Sequence, residues 1–225
     1  MGDVIKALLF DFDGTLVDSE SVCLRAWEET YRLHGVELSF ERWQHGIGTI
    51  DGFDELAHLE ELLGSPIDRE AVNEEHRVRE LGMMSQELLR PGVAEYLEEA
   101  SRLGLEVAIV SSSSRMWIET SLGPLARMDG WACITCAEGD AERAKPRPTL
   151  YLEALDSVGV SAQEAIAFED SPNGVTAARA AGIFCVAVPN SVTARLDVSH
   201  ADLVVGSLEE VPLQRLLERV DERAA

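Results

Sequence analysis

The sequence is poor in cysteine and in basic residues, and it contains no long apolar run. Its four cysteines, at positions 23, 133, 136 and 185, are too few and too scattered for a disulfide framework in 225 residues, which favours a reducing compartment. Lysine and arginine number 19 against 41 acidic residues, and the net charge of -22 repels nucleic acids and anionic lipid surfaces. No stretch approaches the roughly 20 apolar residues that span a bilayer. We expect a cytoplasmic protein without a nucleic-acid or membrane partner.

Cysteine and histidine show no metal-ligand spacing. Cys133 and Cys136 form a CxxC pair, but no second pair completes a zinc site, and the residues between them favour a strand. The histidines at positions 34, 58, 76 and 200 are interpreted as surface or packing residues. Chemistry must therefore be sought in other residue types.

Short apolar runs rich in branched residues alternate with helical patterns. Six runs have the length and composition of buried strands, at residues 4–10, 106–110, 132–136, 165–168, 184–188 and 202–205. Helical periodicity occurs between them at residues 93–102, 116–122, 149–158 and 174–181. This alternation is typical of βαβ units, so we predict an α/β fold with a Rossmann-like parallel sheet covered on both faces.

Residues 16–89 break this alternation. They carry amphipathic helical patterns and no convincing buried strand; residues 55–63, for example, have helical periodicity and end at Gly64. We predict a small all-helical domain at residues 16–89, inserted into an α/β core formed by residues 1–15 and 90–225. The two connections, near residues 15–18 and 87–91, are candidate hinges.

Two carboxylates, Asp11 and Asp13, follow the first predicted strand. Open α/β folds build their sites at the carboxyl edge of the sheet. Two acids one residue apart repel each other, so a site that keeps both ionised needs a cation, and carboxylate oxygens suit Mg²⁺. Gly14 allows a sharp turn of the backbone. Taken alone, however, Asp-Gly is equally typical of a solvated turn.

Three further polar segments fall at or just after predicted strands or in a stiffened loop. Residues 111–114 are serines that offer hydroxyl and backbone N–H groups to an anion. Lys145 supplies a cation in an acidic chain, on a segment stiffened by Pro146 and Pro148. Glu169 and Asp170 end another strand and are followed by a helical pattern. These segments point to an anion-binding and metal-binding site at one sheet edge.

In order along the chain, these four segments resemble the four signature motifs of the haloacid dehalogenase superfamily. Residues 11–19 resemble motif I, residues 111–114 motif II, Lys145 with Pro146 motif III, and residues 169–174 motif IV. The helical insert occupies the position of that superfamily's cap domain. Motif IV looks most like that of the β-phosphoglucomutase-like subfamily.

The resemblance implies a role for each motif residue. Asp11 is implied to attack phosphorus and form an aspartyl-phosphate, with Asp13 as general acid and base. Mg²⁺ is implied to be held by Asp11, Asp13, Glu169 and Asp170. Lys145 and a motif II hydroxyl are implied to bind the remaining phosphoryl oxygens. Asp13 also argues against true dehalogenation, because halide leaves without a proton and dehalogenating relatives lack this second acid.

The phosphate-binding hydroxyl of motif II is ambiguous by one residue. The subfamily pattern favours Ser112, with Ser111 as the alternative, and Ser113 able to lend its N–H. Gly14 belongs to the same expected phosphate-binding set.

The predicted cap loop at residues 43–49 lies where sugar-phosphate mutases of this subfamily carry a basic pair for a second phosphate. Here the two basic positions are His45 and Thr49, so the fork that suits a phosphate is missing. His45 stays a candidate substrate contact. Asp18 and Glu20, directly after motif I, are expected to face the cleft and influence substrate choice.

The sequence therefore predicts a Mg²⁺-dependent phosphatase that acts on a small phosphorylated metabolite, most simply a sugar phosphate. The alternative is a β-phosphoglucomutase-like phosphomutase, which must hold a bisphosphate at both ends. A non-catalytic binding protein on the same fold is disfavoured, since all the motif acids and the lysine are present. We expect a monomer or a weak homodimer.

Overall fold

The computed structural model describes residues 4–44, 47, 53–122 and 130–224. Strands in these ranges are β1 (Ala7–Phe10), β2 (Glu106–Ser111), β3 (Cys133–Cys136), β4 (Ala165–Glu169), β5 (Phe184–Ala187) and β6 (Leu203–Val204). They form one parallel sheet in the order β3-β2-β1-β4-β5-β6. The predicted α/β class with a Rossmann-like parallel sheet is confirmed.

The helices of the described ranges alternate with these strands only after residue 90. They are α1 (Ser19–Leu33), α2 (Phe40–Trp43), α3 (Glu55–Leu63), α4 (Arg69–Met84), α5 (Val93–Leu103), α6 (Arg115–Leu122), α7 (Thr149–Val158), α8 (Pro172–Ala180) and α9 (Leu213–Ala224). The first four lie in sequence between β1 and α5, as the helical patterns predicted. None of the helices in the described ranges is both long and apolar enough to cross a membrane.

Strand β1 lies at the centre of the sheet and sets the position of the site. Its residue Phe10 is in register with Ile109 of β2 on one side and with Phe168 of β4 on the other. The chain leaves β1 for β2 and β3 on one side, and later returns to build β4, β5 and β6 on the other. The strand order thus reverses between β1 and β4, and α/β folds bind ligands at the carboxyl side of such a point.

Both faces of the sheet are covered, because alternate strand residues point to opposite faces. Leu8 and Phe10 pack with helices α5, α6 and α9, and Phe10 stacks on Phe168 with ring centroids 4.5 Å apart. Ala7 and Leu9 pack with α7 and α8. Because both faces are buried, the strand sequences are continuous apolar runs and do not alternate between apolar and polar residues.

Helices α1 to α4 share a separate apolar cluster. Its buried part includes Trp27 and Tyr31 of α1, Trp43 at the end of α2, Leu59 of α3 and Val72 of α4, and it is completed by Ile47 and by Val192 after β5. Aspartates accept hydrogen bonds as N-caps of three of these helices: Asp18 from Ser21 N, Asp54 from Ala57 N and Asp68 from Ala71 N.

The two chain connections to these helices run side by side. Val17, before α1, pairs with Leu89, after α4, as an isolated antiparallel bridge. Arg90 N also donates a 2.8 Å hydrogen bond to Leu16 O. A paired two-strand connection is a suitable hinge, but the division into a core of residues 1–15 and 90–225 and a cap of residues 16–89 stays a prediction.

Candidate active site

Side chains from four distant segments meet at the carboxyl edge of the sheet. The edges of β1, β2 and β4 supply them together with the loop before α7: Asp11, Asp13, Ser111, Glu169, Asp170 and Lys145. A cavity of about 480 Å³ opens there and is closed on the opposite side by residues of α1, α2, α3 and α4. The four sequence segments singled out as motifs are therefore brought to one place.

Lys145 is buried between two carboxylates. Its Nζ forms an ion pair with Asp11 and lies 2.7 Å from Glu169 Oε1, and all three side chains are at least nine-tenths buried. Burial disfavours the charged ammonium, but attraction by Asp11 and Glu169 outweighs burial and raises the pKa of Lys145. Tyr151 donates a 2.6 Å hydrogen bond to the same Glu169 oxygen. The lysine is thus held as a cation next to Asp11.

Asp11, Glu169 and Asp170 form a buried acidic group whose carboxylate oxygens lie within 4.8 Å of one another. Burial raises the pKa of Asp11 to about 8, although Lys145 opposes the shift. Burial and repulsion by neighbouring carboxylates also raise the pKa of Asp170 well above its usual range. Glu169 Oε2 is buried without a hydrogen-bond partner in the described part of the chain. One more positive charge is needed to keep this group ionised, so it fits a divalent cation.

Two glycines permit this close packing of acids. A Cβ atom at Gly14, whose φ is +81°, would collide with the Asp170 carboxylate and the Asn190 amide. A Cβ atom at Gly174 would collide with the Glu169 carboxylate. Asn190 Nδ2 donates a 2.8 Å hydrogen bond to Asp170 Oδ2 and thereby fixes that carboxylate. Both glycines are therefore required by the site rather than by a turn alone.

Asp13 is held by hydrogen-bond donors on both of its carboxylate oxygens. Oδ1 accepts from Ser19 Oγ at 2.7 Å and from Trp117 Nε1 at 2.8 Å. Oδ2 accepts from Ser113 Oγ at 2.6 Å and from Ser111 Oγ at 3.3 Å. The carboxylate is therefore oriented from β2, α1 and α6 together.

The serines of motif II lie where the sequence predicts, but their hydroxyls differ in environment. Ser111 is fully buried, and its Oγ also accepts from Ser113 N at 3.0 Å. Ser112 Oγ accepts a 3.2 Å hydrogen bond from Lys145 N, which ties this hydroxyl to the lysine segment. Both serines line the cavity. The choice between Ser112 and Ser111 as the phosphate contact stays open.

The cavity wall formed by the helices is acidic. Glu20 of α1, Glu55 of α3 and Glu80 of α4 line it, and Lys145 is the one lysine or arginine among the lining residues of the described ranges. Burial and repulsion by Asp13 and Asp11 raise the pKa of Glu20 to about 8. Burial also raises the pKa values of Glu55 and Glu80.

Several sequence predictions about the cleft meet different outcomes. Glu20 lines the cavity as predicted, whereas Asp18 caps α1 through Ser21 N at 3.3 Å. His45 and Thr49 lie outside the described residues. Trp117, which no motif includes, also reaches the cleft, where its indole N–H contacts Asp13.

Arg90 and Asn190 support the site but belong to none of its sequence motifs. Arg90 donates to Gly14 O, to Val188 O at 2.7 Å and to Pro189 O at 3.0 Å, so it ties the turn after β1 to the chain after β5. Asn190 joins the same region to Asp170. Both lie far from the motifs in sequence, and only the fold brings them to the site.

Comparison with known proteins identifies the family. A profile of the haloacid dehalogenase-like hydrolases matches residues 5–182. The chain belongs to this family. It is 39% identical over 218 residues to YhcW of Bacillus subtilis, a protein named as a phosphatase, and the alignment covers 97% of this chain and 99% of YhcW. The predicted superfamily is confirmed, and the family and its relatives support a phosphoric monoester hydrolase.

Solved structures agree with this assignment. CbbY from Rhodobacter sphaeroides, crystallised with xylulose-1,5-bisphosphate, has a TM-score of 0.74 and 27% identity, covering 94% of this chain and 99% of CbbY. A β-phosphoglucomutase from Clostridium difficile has the same TM-score at 22% identity, covering 97% and 98% of the two chains. The second likeness shows a shared fold and confirms the predicted β-phosphoglucomutase-like architecture.

Proposed function

We propose that this phosphatase hydrolyses monophosphate esters of small sugar-like metabolites, with Asp11 as the nucleophile and Mg²⁺ as the metal. One observation carries the proposal: the Asp11 carboxylate is paired with buried Lys145, and Asp13 faces the same cavity. A nucleophile, a phosphate-binding cation and a proton carrier are thus within one site.

The reaction follows from these positions in two displacements. An Asp11 oxygen attacks phosphorus, the bond from phosphorus to the ester oxygen breaks, and Asp13, which must enter the cycle in its protonated form, gives its proton to the departing alcohol oxygen. Asp13 then takes a proton from water, the water oxygen attacks phosphorus, and the bond from phosphorus to Asp11 breaks. Inorganic phosphate is released, and both carboxylates return to their starting state.

Lys145 and the motif II serines would hold the phosphoryl oxygens. The Lys145 ammonium lies beside Asp11, where negative charge collects on the transferring group. The Ser112 hydroxyl, or that of Ser111, would donate to another phosphoryl oxygen. Gly14 is a further candidate contact, and the Ser113 N–H would contact phosphate only after leaving Ser111 Oγ, to which it donates at 3.0 Å. His45 stays a candidate contact from the cap loop.

The buried acidic group supports Mg²⁺ at this site. Glu169 Oε2 lacks a partner among the described residues, and burial raises the pKa of Asp11. Both features are expected of carboxylates that bind a cation. Asp11, Glu169 and Asp170 would hold the ion, together with the backbone carbonyl of Asp13. When bound, Mg²⁺ supplies positive charge that lets the acidic group stay ionised next to an anionic substrate.

Helices α1 to α4 would act as the cap. They face the sheet edge across the cavity, and their two connections lie together at the pairing of Val17 and Leu89. Rotation about these connections would admit the substrate and then exclude bulk water from the aspartyl-phosphate.

The helical wall of the cavity has no lysine or arginine among the described lining residues, and this favours hydrolysis over mutase chemistry. A mutase must hold a second phosphate away from Asp11, yet Glu20, Glu55 and Glu80 occupy that wall. Residues 45–52 contain no lysine or arginine. CbbY was crystallised with a bisphosphate, whereas the acidic wall here supports a monophosphate whose remaining part is uncharged.

The decisive experiment is phosphate release from a panel of sugar and polyol phosphates, measured with Mg²⁺ and again with a chelator. Release that depends on Mg²⁺, from monophosphates above all, is the expected result. Isomerisation that needs a bisphosphate primer and conserves organic phosphate would instead establish the mutase. Release that persists after thorough chelation would contradict the metal assignment.

A further inference from the structure

A second group of metal-binding side chains lies in the helices that face the sheet. Cys23 of α1 and His76 and Glu80 of α4 offer ligand atoms that all lie within 4.8 Å of one another. His76 and Glu80 are four residues apart and therefore share one helix face. These residues are separate from the acidic group of Asp11, Glu169 and Asp170.

We propose that Cys23, His76 and Glu80 form a binding site for a divalent cation of the zinc class. Sulfur, nitrogen and oxygen ligands lie about 2.0 to 2.3 Å from Zn²⁺, so neighbouring ligand atoms in a tetrahedral site are about 3.3 to 3.8 Å apart. His76 Nε2 and Glu80 Oε2 are 3.7 Å apart. Cys23 Sγ and a carboxylate oxygen of Glu80 lie within 4.8 Å of each other, and a metal ion would take the place of the thiol proton.

The imidazole is fixed with one nitrogen available. Its ring stacks on Trp27 at 3.7 Å between centroids, and the side chain is buried. Its Nδ1 lies 3.5 Å from Thr30 Oγ1, and this hydroxyl donates its own proton to Ala26 O at 2.8 Å. Thr30 Oγ1 also accepts a 2.7 Å hydrogen bond from Arg79 Nη1, so toward His76 it can only accept from Nδ1–H, and the Nε2 lone pair then faces Glu80. Outer contacts of this kind orient metal-binding histidines in proteins.

The surroundings favour a neutral imidazole and a bound cation. Burial, together with Arg79, lowers the pKa of His76 to about 4, so its ring is uncharged near neutral pH. Burial, Glu80 and Glu20 raise the pKa of Cys23 well above its usual range. A divalent cation would supply the positive charge that the Cys23 thiolate and the nearby carboxylates of Glu80 and Glu20 require.

The ligand types select the metal. Thiolate and imidazole suit Zn²⁺ and similar ions, whereas Mg²⁺ takes oxygen ligands in octahedral geometry. Three protein ligands leave one tetrahedral position open. Cys23 and Glu80 line the active-site cavity, so that position faces the space where the substrate's alcohol part would lie.

Cobalt absorption spectroscopy tests the site without relying on catalysis. The full chain is stripped of metal and placed in excess Mg²⁺, which occupies hard oxygen sites, and is then titrated with Co²⁺. We expect one equivalent of Co²⁺ to produce a thiolate-to-cobalt charge-transfer band, and one equivalent of Zn²⁺ to bleach it. A wild-type protein without this band would overturn the proposal, whatever its phosphatase activity.

Variants identify the ligands. Cys23→Ser and His76→Gln should lose the band, with Zn²⁺ affinity lowered by at least about tenfold. Cys133→Ser is the matched control, because Cys133 is also partly buried but lies on β3, and it should keep the band. A band that survives in Cys23→Ser or vanishes in Cys133→Ser would place the metal elsewhere.

A measurement on the wild-type protein tests the site even if the variants do not fold. Zn²⁺ should protect Cys23 of the wild-type chain from alkylation, as mapped by peptide mass spectrometry, while leaving Cys133 equally reactive. Equal alkylation of Cys23 with and without Zn²⁺ would contradict the site.

Discussion

The indole Nε1 of Trp117 lies 2.8 Å from Asp13 Oδ1 and donates a hydrogen bond to it. An indole N–H cannot accept, so this contact requires Asp13 Oδ1 to be the acceptor. Ser19 Oγ donates to the same oxygen at 2.7 Å. Helices α6 and α1 therefore both fix the side chain to which we assign proton transfer, and Trp117 is a candidate positioning residue.

Replacing Trp117 with Phe should lower kcat by about tenfold and change KM little, because one hydrogen bond to a charged group is lost while the phosphate contacts remain. Steady-state phosphate release measures both constants. Trp131→Phe is the control, since Trp131 packs against Phe10. In an Asp13→Asn background the Trp117 substitution should cost nothing more, and equal losses in both backgrounds would show that Trp117 acts independently of Asp13.

Substitutions of the two aspartates of motif I should impair different steps of the reaction. Asp11→Asn should abolish turnover, since the amide cannot form the phosphoenzyme, and circular dichroism should show an intact fold. Asp13→Asn should still accept phosphate from p-nitrophenyl phosphate, whose leaving group needs no proton, but should hydrolyse the phosphoenzyme slowly. Mass spectrometry of acid-quenched protein should then show one added phosphoryl group on Asp13→Asn and none on Asp11→Asn. The reverse pattern would exchange the two roles.

Much of the fold follows from periodicity and local capping. Helices α3 (Glu55–Leu63) and α7 (Thr149–Val158) have the predicted bounds, because a regular apolar face ends at a glycine in the left-handed conformation in both cases, Gly64 and Gly159. Helix α8 begins at Pro172, two residues earlier than predicted. The Ser171 side chain caps it and proline suits the first helical turn.

The first and last residues of the strands were less predictable than the helix bounds, because they depend on where the neighbouring strand pairs. Strand β1 begins at Ala7 rather than at residue 4, and Val4 is 70% exposed. Strand β6 has only the two residues Leu203–Val204, as it lies at the sheet edge and pairs on one side with β5. Apolar composition alone does not reveal where a neighbouring strand stops.

The site was predictable to the extent that its residues follow strands. Asp11, Asp13 and Asp170 belong to strand ends, and parallel strands bring those ends together. Trp117, Asn190 and the group of Cys23, His76 and Glu80 have no such marker. His76 is buried and stacks on Trp27, as a packing residue does, but sequence spacing cannot show that it also lies near Cys23 of another helix.

Gly174→Ala should destabilise the protein by about 1 to 3 kcal/mol, because the new methyl group would overlap the buried Glu169 carboxylate. Urea unfolding measures the change. Gly82→Ala is the matched control, since Gly82 lies in α4 with open space around it, and it should leave stability unchanged or raise it by up to about 1 kcal/mol. Equal stability of the two variants would mean that Glu169 can move aside.

The acidic cavity wall should determine the preference for monophosphates. Glu55→Lys replaces a negative charge on this wall with a positive one, so it should raise kcat/KM for a sugar bisphosphate relative to the matching monophosphate by at least about fivefold at low salt. Glu98→Lys makes the same charge change on the exposed surface of α5, away from the lining residues of this cavity, and should leave the ratio near its wild-type value. Added salt should weaken any effect of Glu98→Lys more than that of Glu55→Lys, because exposed charges are screened more completely than partly buried ones. An unchanged ratio in Glu55→Lys would mean that the second phosphate lies elsewhere in the cleft.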